Sequence, residues 1–406
     1  MRMGAITTRG GVDADAGQLP RLIYVGDQPI ESTVGGAALL YRLLQTYPAD
    51  RLLVVESNVS RSVIGRRLTG VRYESFAIGW PRLLMSRFKP YQAALLHVTA
   101  PWRHLQVKRL AAEFRADAVL TISHMHSWRT AASLAKHMNL PLHLILHDDC
   151  VRMSCVPRWL EAGVSQSLGE VYRFAKSRLC IAPMMEAYYR SAYGVEGSVV
   201  LPSWAADAKA LEPVVPSGRK AELTFAYAGS LHGGGYAGDL APLAHVLRRL
   251  GHRLLLFTAV TPSGLARFGL DMPNVIPEPV VPYQQLIKRL REEADVLVAP
   301  MSFDHRLELD MKLCFPSKLA DYTAVGLPLL VWGPRYCSAV DWATRNPGIG
   351  EVVTDEGEPD LERAVIRLEN QEGRRKAALA AAEAGRQCFS HSAVFQAFCA
   401  AIREPA

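Results

Sequence analysis

Short apolar runs recur along the chain, each followed by a polar or glycine-rich patch and then by an amphipathic stretch. Residues 21–26 (RLIYVG) read as a buried strand, 27–34 as a polar loop, and 37–47 as an apolar helix opened by Gly35-Gly36 and ending near Pro48. Residues 52–56 (LLVVE) are the next strand, so the chain opens with a βαβ unit of a doubly wound sheet. The strand pattern returns at 117–123 and 141–146 around a helix over 129–138. Residues 152–193 read as helical, with a short strand over 179–182. It restarts at 223–228 (LTFAYA), with a helix over 239–250, a strand over 254–259 and a strand or loop over 274–279. A helix from Pro282 to Glu293, a strand over 295–300 and a polar loop over 301–312 follow. A last helix opens beside Pro316-Ser317, ends at the left-handed Gly326, and leads into an apolar strand closed by Gly333-Pro334. From Glu362 the chain is helical and Ala-rich, and 389–402 carries an apolar stripe.

Two such series predict an α/β protein of two Rossmann-like domains. The expected boundaries are a tail over 1–20, a first domain over 21–203, a linker over 204–222, a second domain over 223–385 and a closing helix over 386–406. With 406 residues, 49 % hydrophobic and 21 % charged, the chain is long enough for two packed domains. A net charge of +7 favours anionic partners. There is no zinc-finger or RNA-binding motif, so nucleic acid is not expected. No apolar run reaches the roughly 18 residues of a membrane span, and Met1 to Gly17 lacks the apolar core of a signal peptide. The seven cysteines are scattered, and Cys150 and Cys155 have no His at ligand spacing, so reduced thiols in a cytoplasmic chain are expected and zinc is not.

Residues 79–115 mix large apolar and basic side chains: Trp80, Arg82, Met85, Arg87, Phe88, Lys89 and Tyr91, then Trp102, Arg103, His104, Lys108 and Arg109. Two arrangements fit. The stretch can lie on an anionic bilayer at the inner face of the membrane, or it can be a helical pair with buried aromatics and a solvated basic face.

The chemistry concentrates at the start of the Ser317 helix. Free amides and the positive end of the helix dipole make an anion site there, to which Ser317 adds a hydroxyl and Lys318 a charge. Ser317 is also positioned to accept a bond from a first-turn amide. Asp321 lies one turn on, on the same face about 6 Å away. A nucleotide diphosphate matches that layout, with phosphates at the tip and ribose hydroxyls at the carboxylate. The plainer alternative is a capped, solvated helix with surface charges. Polar clusters also follow successive strands, His124-Met125-His126 and His147-Asp148-Asp149, where open α/β sheets bind ligands. A second glycine-rich turn, Gly229-Ser230-Leu231-His232-Gly233-Gly234-Gly235, follows the first strand of the second series.

The run Pro316-Ser317-Lys318-Leu319-x-Asp321-Tyr322, then Gly326-x-Pro328 and an apolar strand, resembles the carboxy-domain signature of GT-B glycosyltransferases, particularly glycosyltransferase family 4. The resemblance is strongest over 223–334, moderate over 21–56 and 116–150, and absent over 57–115. It implies a GT-B fold: two Rossmann-like domains facing across a cleft, with the last helix crossing back to the first. It implies a UDP- or GDP-type sugar donor, with its ribose on Asp321 and its diphosphate at Ser317 and Lys318 near Gly229, Ser230 and His232. Its base would lie along Pro279 to Val281. Gly35 and Gly36 would line the cleft near acceptor and sugar, His126 would face the transferred sugar, and His147-Asp148 the cleft wall. An inverting reaction needs a base near the acceptor hydroxyl, for which Asp148 and Asp149 are the candidates.

The chain departs from the family pattern at two places. Leu313 stands where many members have the first Glu of a Glu-x7-Glu motif, and Ser230 where many have Arg. The expected activity is metal-independent hexosyl transfer to a glycan or lipid-linked acceptor in cell-surface polysaccharide synthesis, with no cofactor. The alternatives are a nucleotide-sugar epimerase or hydrolase on the same fold, or a catalytically inactive binding or scaffold protein.

Overall fold

The computed structural model of the chain describes residues 19–32, 35–208, 222–231 and 236–403. The first domain runs β1 (Leu22–Gly26), α1 (Gly35–Leu44), β2 (Leu52–Ser57), β3 (Arg72–Phe76), α2 (Lys89–Thr99), α3 (His104–Phe114), β4 (Ala118–Ile122) and α4 (Ser127–Met138). It continues with β5 (Leu142–Leu146), α5 (Cys150–Ser154), α6 (Arg158–Phe174), β6 (Ser177–Cys180), α7 (Pro183–Tyr193) and β7 (Ser198–Val199). The second has β8 (Thr224–Ala228), α8 (Tyr236–Arg249), β9 (Arg253–Phe257), α9 (Pro262–Ala266), β10 (Val275–Glu278), α10 (Tyr283–Glu293), β11 (Val296–Pro300) and α11 (Glu308–Leu313). It ends with α12 (Lys318–Val325), β12 (Leu329–Trp332), α13 (Ser338–Arg345), β13 (Gly350–Val353), α14 (Glu358–Leu368), α15 (Gln371–Cys388) and α16 (His391–Arg403).

Both sheets are parallel, and their orders, β3-β2-β1-β4-β5-β6-β7 and β10-β9-β8-β11-β12-β13, repeat one doubly wound plan. In each, the order reverses beside the first strand, which opens a crevice at the carboxyl ends of the central strands. The central strands are buried along their whole length, as helices on both faces require. β3 and β13 carry no apolar run because each is an edge strand, buried on one side at most.

The polar stretch over 301–312 departs from the expected loop. It folds into a turn of 3-10 helix over 305–307 and then α11. Asp304 starts the turn by accepting from the Arg306 amide at 2.9 Å. Glu308 and Asp310 in the first turn of α11 and Lys312 in its last complement the helix dipole, while Met311 and Leu313 are buried.

One apolar cluster runs through both domains. Trp204, Leu319, Ala320 and Phe389 share it with the β1 and β5 side chains of the first domain. Trp204 is buried, donates its indole N–H to the Ala320 carbonyl at 2.6 Å, and takes the Phe389 carbonyl on its own amide at 2.8 Å. α7 of the first domain packs on α11 and α13 of the second, and α16 returns to pack on α1 and β6. The Ser317 end of α12 is therefore fixed facing the first domain.

Candidate active site

The site begins where β8 ends. The Tyr322 hydroxyl on α12 accepts from the Ala228 amide at 2.8 Å, which pins the helix to the tip of β8. Beside it the Lys318 ammonium donates to the Tyr227 hydroxyl at 2.7 Å and lies 4.0 Å from the centre of that ring. Gly229 has a φ of 152°, and a Cβ there would stand 3.2 Å from Lys318 Nζ, so the glycine keeps bare backbone against the cation. Burial of the ammonium pulls its pKa down to about 7. The Leu319 and Ala320 amides already donate to the Pro316 and Ser317 carbonyls at 2.9 and 3.1 Å, so the buried Lys318 ammonium is the main group at this helix start that can meet an anion, and an anion would restore its charge.

One turn along, Asp321 faces the first domain. Its carboxylate accepts from Arg42 on α1 at 2.7 Å, with the two side chains only 14 % (Arg42) and 22 % (Asp321) exposed. The Arg42 guanidinium also lies 4.6 Å from the centre of the Tyr283 ring and donates to the Ser203 carbonyl. Burial raises the Asp321 pKa, while Arg42 and the Tyr283 hydroxyl work in the opposite direction.

The first domain contributes the ends of β1, β4 and β5. Asp27, just past β1, accepts from the amides of His126 and Ser127 and from the Ser127 hydroxyl at 2.6–2.8 Å, so it caps α4 at the point where the strand order reverses. His147 Nε2 lies 2.9 Å from one oxygen of Asp148, and the Cys314 thiol of the second domain donates to the other at 3.4 Å. A Cβ on Gly36 would stand 2.7 Å from His147 Nε2, so only a glycine lets α1 start against that ring. Burial pushes Asp148 upward, but His147 and the Cys314 bond outweigh it and hold the carboxyl below its ordinary range. Ring and carboxylate atoms of His124, His147 and Asp148 all lie within 4.8 Å of one another, a donor set able either to pass a proton or to hold a cation.

Contacts therefore cross between the domains at Asp148 with Cys314 and at Asp321 with Arg42, while Lys318 and Gly229 meet at the tip of β8. Gly35, with a φ of 62°, provides the turn into α1. Ser230 is exposed at the rim, and its carbonyl accepts from the Tyr227 hydroxyl at 2.9 Å. His232 lies outside the described residues.

Two expectations are corrected, for Ser317 and for His126. Ser317 makes no side-chain cap, because its backbone is already helical (φ −55°, ψ −23°) and its hydroxyl cannot fold back over the first turn. Asp149, the other candidate base, caps α5 through one oxygen, Oδ1, which accepts from the Val151 and Arg152 amides at 2.9 and 3.3 Å. His126 is 1 % exposed, packed against His97 at 5.6 Å between ring centres, and burial lowers its pKa to about 4. The histidine that reaches His147 is His124, at 5.7 Å between ring centres.

Sequence reasoning missed Arg42, Tyr283, Asp27 and Cys314. Arg42 follows Gly35 by two helical turns on α1, a spacing that could have marked it as facing the same gap.

No protein-family model matches the chain, and no characterised protein matches it in sequence. Among solved structures, Anabaena HepE in complex with UDP and glucose is similar at a TM-score of 0.66 and 15 % identity, covering 95 % of this chain and 100 % of HepE. The lipopolysaccharide outer core galactosyltransferase WaaB, in its apo form, aligns at a TM-score of 0.62 and 14 % identity over 94 % of this chain and 98 % of its own. An α,α-trehalose-phosphate synthase (UDP-forming) from Burkholderia vietnamiensis aligns at 0.61 and 12 % identity over 94 % and 99 %. At such identities the likeness is one of fold. The chain has the GT-B fold of two Rossmann-like domains facing across a cleft.

Proposed function

We propose that the chain is a glycosyltransferase that moves a hexose from a UDP-type donor to a hydroxyl of a glycan or lipid-linked acceptor in cell-surface polysaccharide synthesis. The observation that carries this reading is the pairing of Lys318, set beside bare Gly229 at a helix start, with Asp321 one turn below on the same helix, where it meets Arg42 of the first domain. The diphosphate would take Lys318 at the positive end of α12, and the ribose hydroxyls would bind the Asp321 carboxylate while Arg42 keeps it oriented. HepE, with UDP and glucose bound, and the galactosyltransferase WaaB share the fold and support a nucleotide-sugar donor.

In the reaction the acceptor oxygen bonds to the anomeric carbon as the bond from that carbon to the diphosphate oxygen breaks. Negative charge grows on the leaving diphosphate, where Lys318 and the helix tip stabilise it without a metal. Asp148 is ionised, and each of its oxygens keeps a lone pair beyond the bonds to His147 and Cys314. In this reading it would take the acceptor proton, with His147 orienting it at 2.9 Å.

The test is nucleotide release from a panel of UDP- and GDP-sugars with glycan acceptors and with chelator present. Transfer that persists with chelator and falls at least a hundredfold in Asp148→Asn agrees with this reading. Near-normal turnover of Asp148→Asn excludes that carboxylate as base. Release of free sugar without acceptor, or isomerised donor, would indicate the hydrolase or epimerase instead.

A further inference from the structure

The structure turns the large apolar side chains of 79–115 outward. The aromatics are outside: Trp80 is 77 % exposed, Met85 92 % and Trp102 63 %, and Phe88 is also exposed. Tyr91, Leu95 and Val98 on α2, then Trp102 and Leu105, follow one another at spacings of four and three residues. They form one continuous exposed stripe through α2, the following turn and the start of α3. The opposite side of the same helices carries Ala93, Leu96, Ala100 and Val107, all buried in the core. So much clustered apolar surface is unusual on a chain that meets only water.

The charge beside the stripe is of one sign. Between Glu74 and Glu113 the chain has no acidic residue, while Arg82, Arg87, Lys89 and Lys108 are exposed; Arg109 is exposed too but pairs with Glu113 at 2.6 Å. We infer that this face docks on the surface of an anionic bilayer, its rings and aliphatic side chains at headgroup depth and its cations on the lipid phosphates. Among the described residues no helix is long and apolar enough to cross a membrane, so contact through this face would be interfacial.

Its place in the fold suits the role. The face follows the carboxyl end of β3, the same end of the parallel sheet at which Asp27 and His147 follow β1 and β5. On its inner side His97 of α2 packs on His126 and on Trp128 of α4, at 5.6 and 6.1 Å between ring centres. The face is thus one layer of side chains from the acceptor-side strand ends. The inference does not depend on the donor reading, since lipid binding and nucleotide binding are measured separately.

Co-sedimentation of the full chain with vesicles tests it. Most of the protein should pellet with phosphatidylglycerol-containing vesicles at low salt, and little with pure phosphatidylcholine. Tyr91→Ser/Trp102→Ser/Leu105→Ser should abolish pelleting with an unchanged melting temperature, because these side chains support no core. Arg82→Ser/Arg87→Ser/Lys89→Ser should weaken it about a hundredfold, at roughly fivefold per charge. Equal partition onto neutral vesicles, no pelleting on either, or a concentration-dependent dimer that the Trp102 variant abolishes in place of vesicle binding would each overturn the inference.

Discussion

Lys318 has two settings available to it. Burial holds its ammonium near a pKa of about 7, and a bound diphosphate would raise that value by pairing with the charged form. The sign follows. Above pH 7 the free protein has lost the proton that the complex needs, so binding must take one up. Nucleotide affinity should be flat below pH 7 and fall by up to tenfold per pH unit above it. Lys318→Met should bind weakly with no such slope. A wild-type affinity independent of pH from 6 to 9 would place the diphosphate elsewhere. At this scale the sequence was only partly readable. The SK..D spacing pointed to Ser317, Lys318 and Asp321, because spacing within one helix fixes which side chains share a face. It could not show that Asp321 meets Arg42, 279 residues away in sequence. Nor could it tell which of His124 and His126 turns toward His147, since adjacent strand-end residues differ only in the local backbone.

Short elements follow from caps and edges as much as from apolar pattern. α12 starts without a side-chain cap, whereas Asn370 caps α15 by accepting from the Gly373 amide at 2.8 Å. Ser317→Ala should therefore change stability by less than about 0.5 kcal/mol, and Asn370→Ala should cost about 1 kcal/mol in thermal or urea unfolding. Equal losses would mean that Ser317 does cap its helix. Buried central strands and their helices were legible because two-sided burial leaves a continuous apolar run. β3, β13 and α11 were not, because edge strands and short, polar-faced helices leave no such run. The stretch over 79–115 was readable in composition but not in direction. A basic, aromatic sequence is compatible with rings turned inward or outward, and only packing of the other face, through Leu96 and Val107, settles which.

The two-domain plan was legible at the scale of the whole molecule, since the series of strand and helix restarts once and both halves adopt the same strand order. How the halves meet was not. That depends on Trp204 and Phe389 in a shared core, on α16 returning to α1, and on polar links across the gap, Arg42 with Asp321, Arg152 with Asp310 and Asp148 with Cys314. These contacts hold α12 and the loop before it against the first domain, at Asp321 and at Cys314, and the proposed transfer rests on that placement. Calorimetric titration of UDP, GDP and NAD into the wild type and Asp321→Ala tests it most directly. The account predicts that a nucleoside diphosphate binds the wild type, that Asp321→Ala weakens it about tenfold to a hundredfold through loss of charged hydrogen bonds to the ribose, and that NAD gives no heat. Equal binding by both proteins, or no response to either diphosphate, would contradict it.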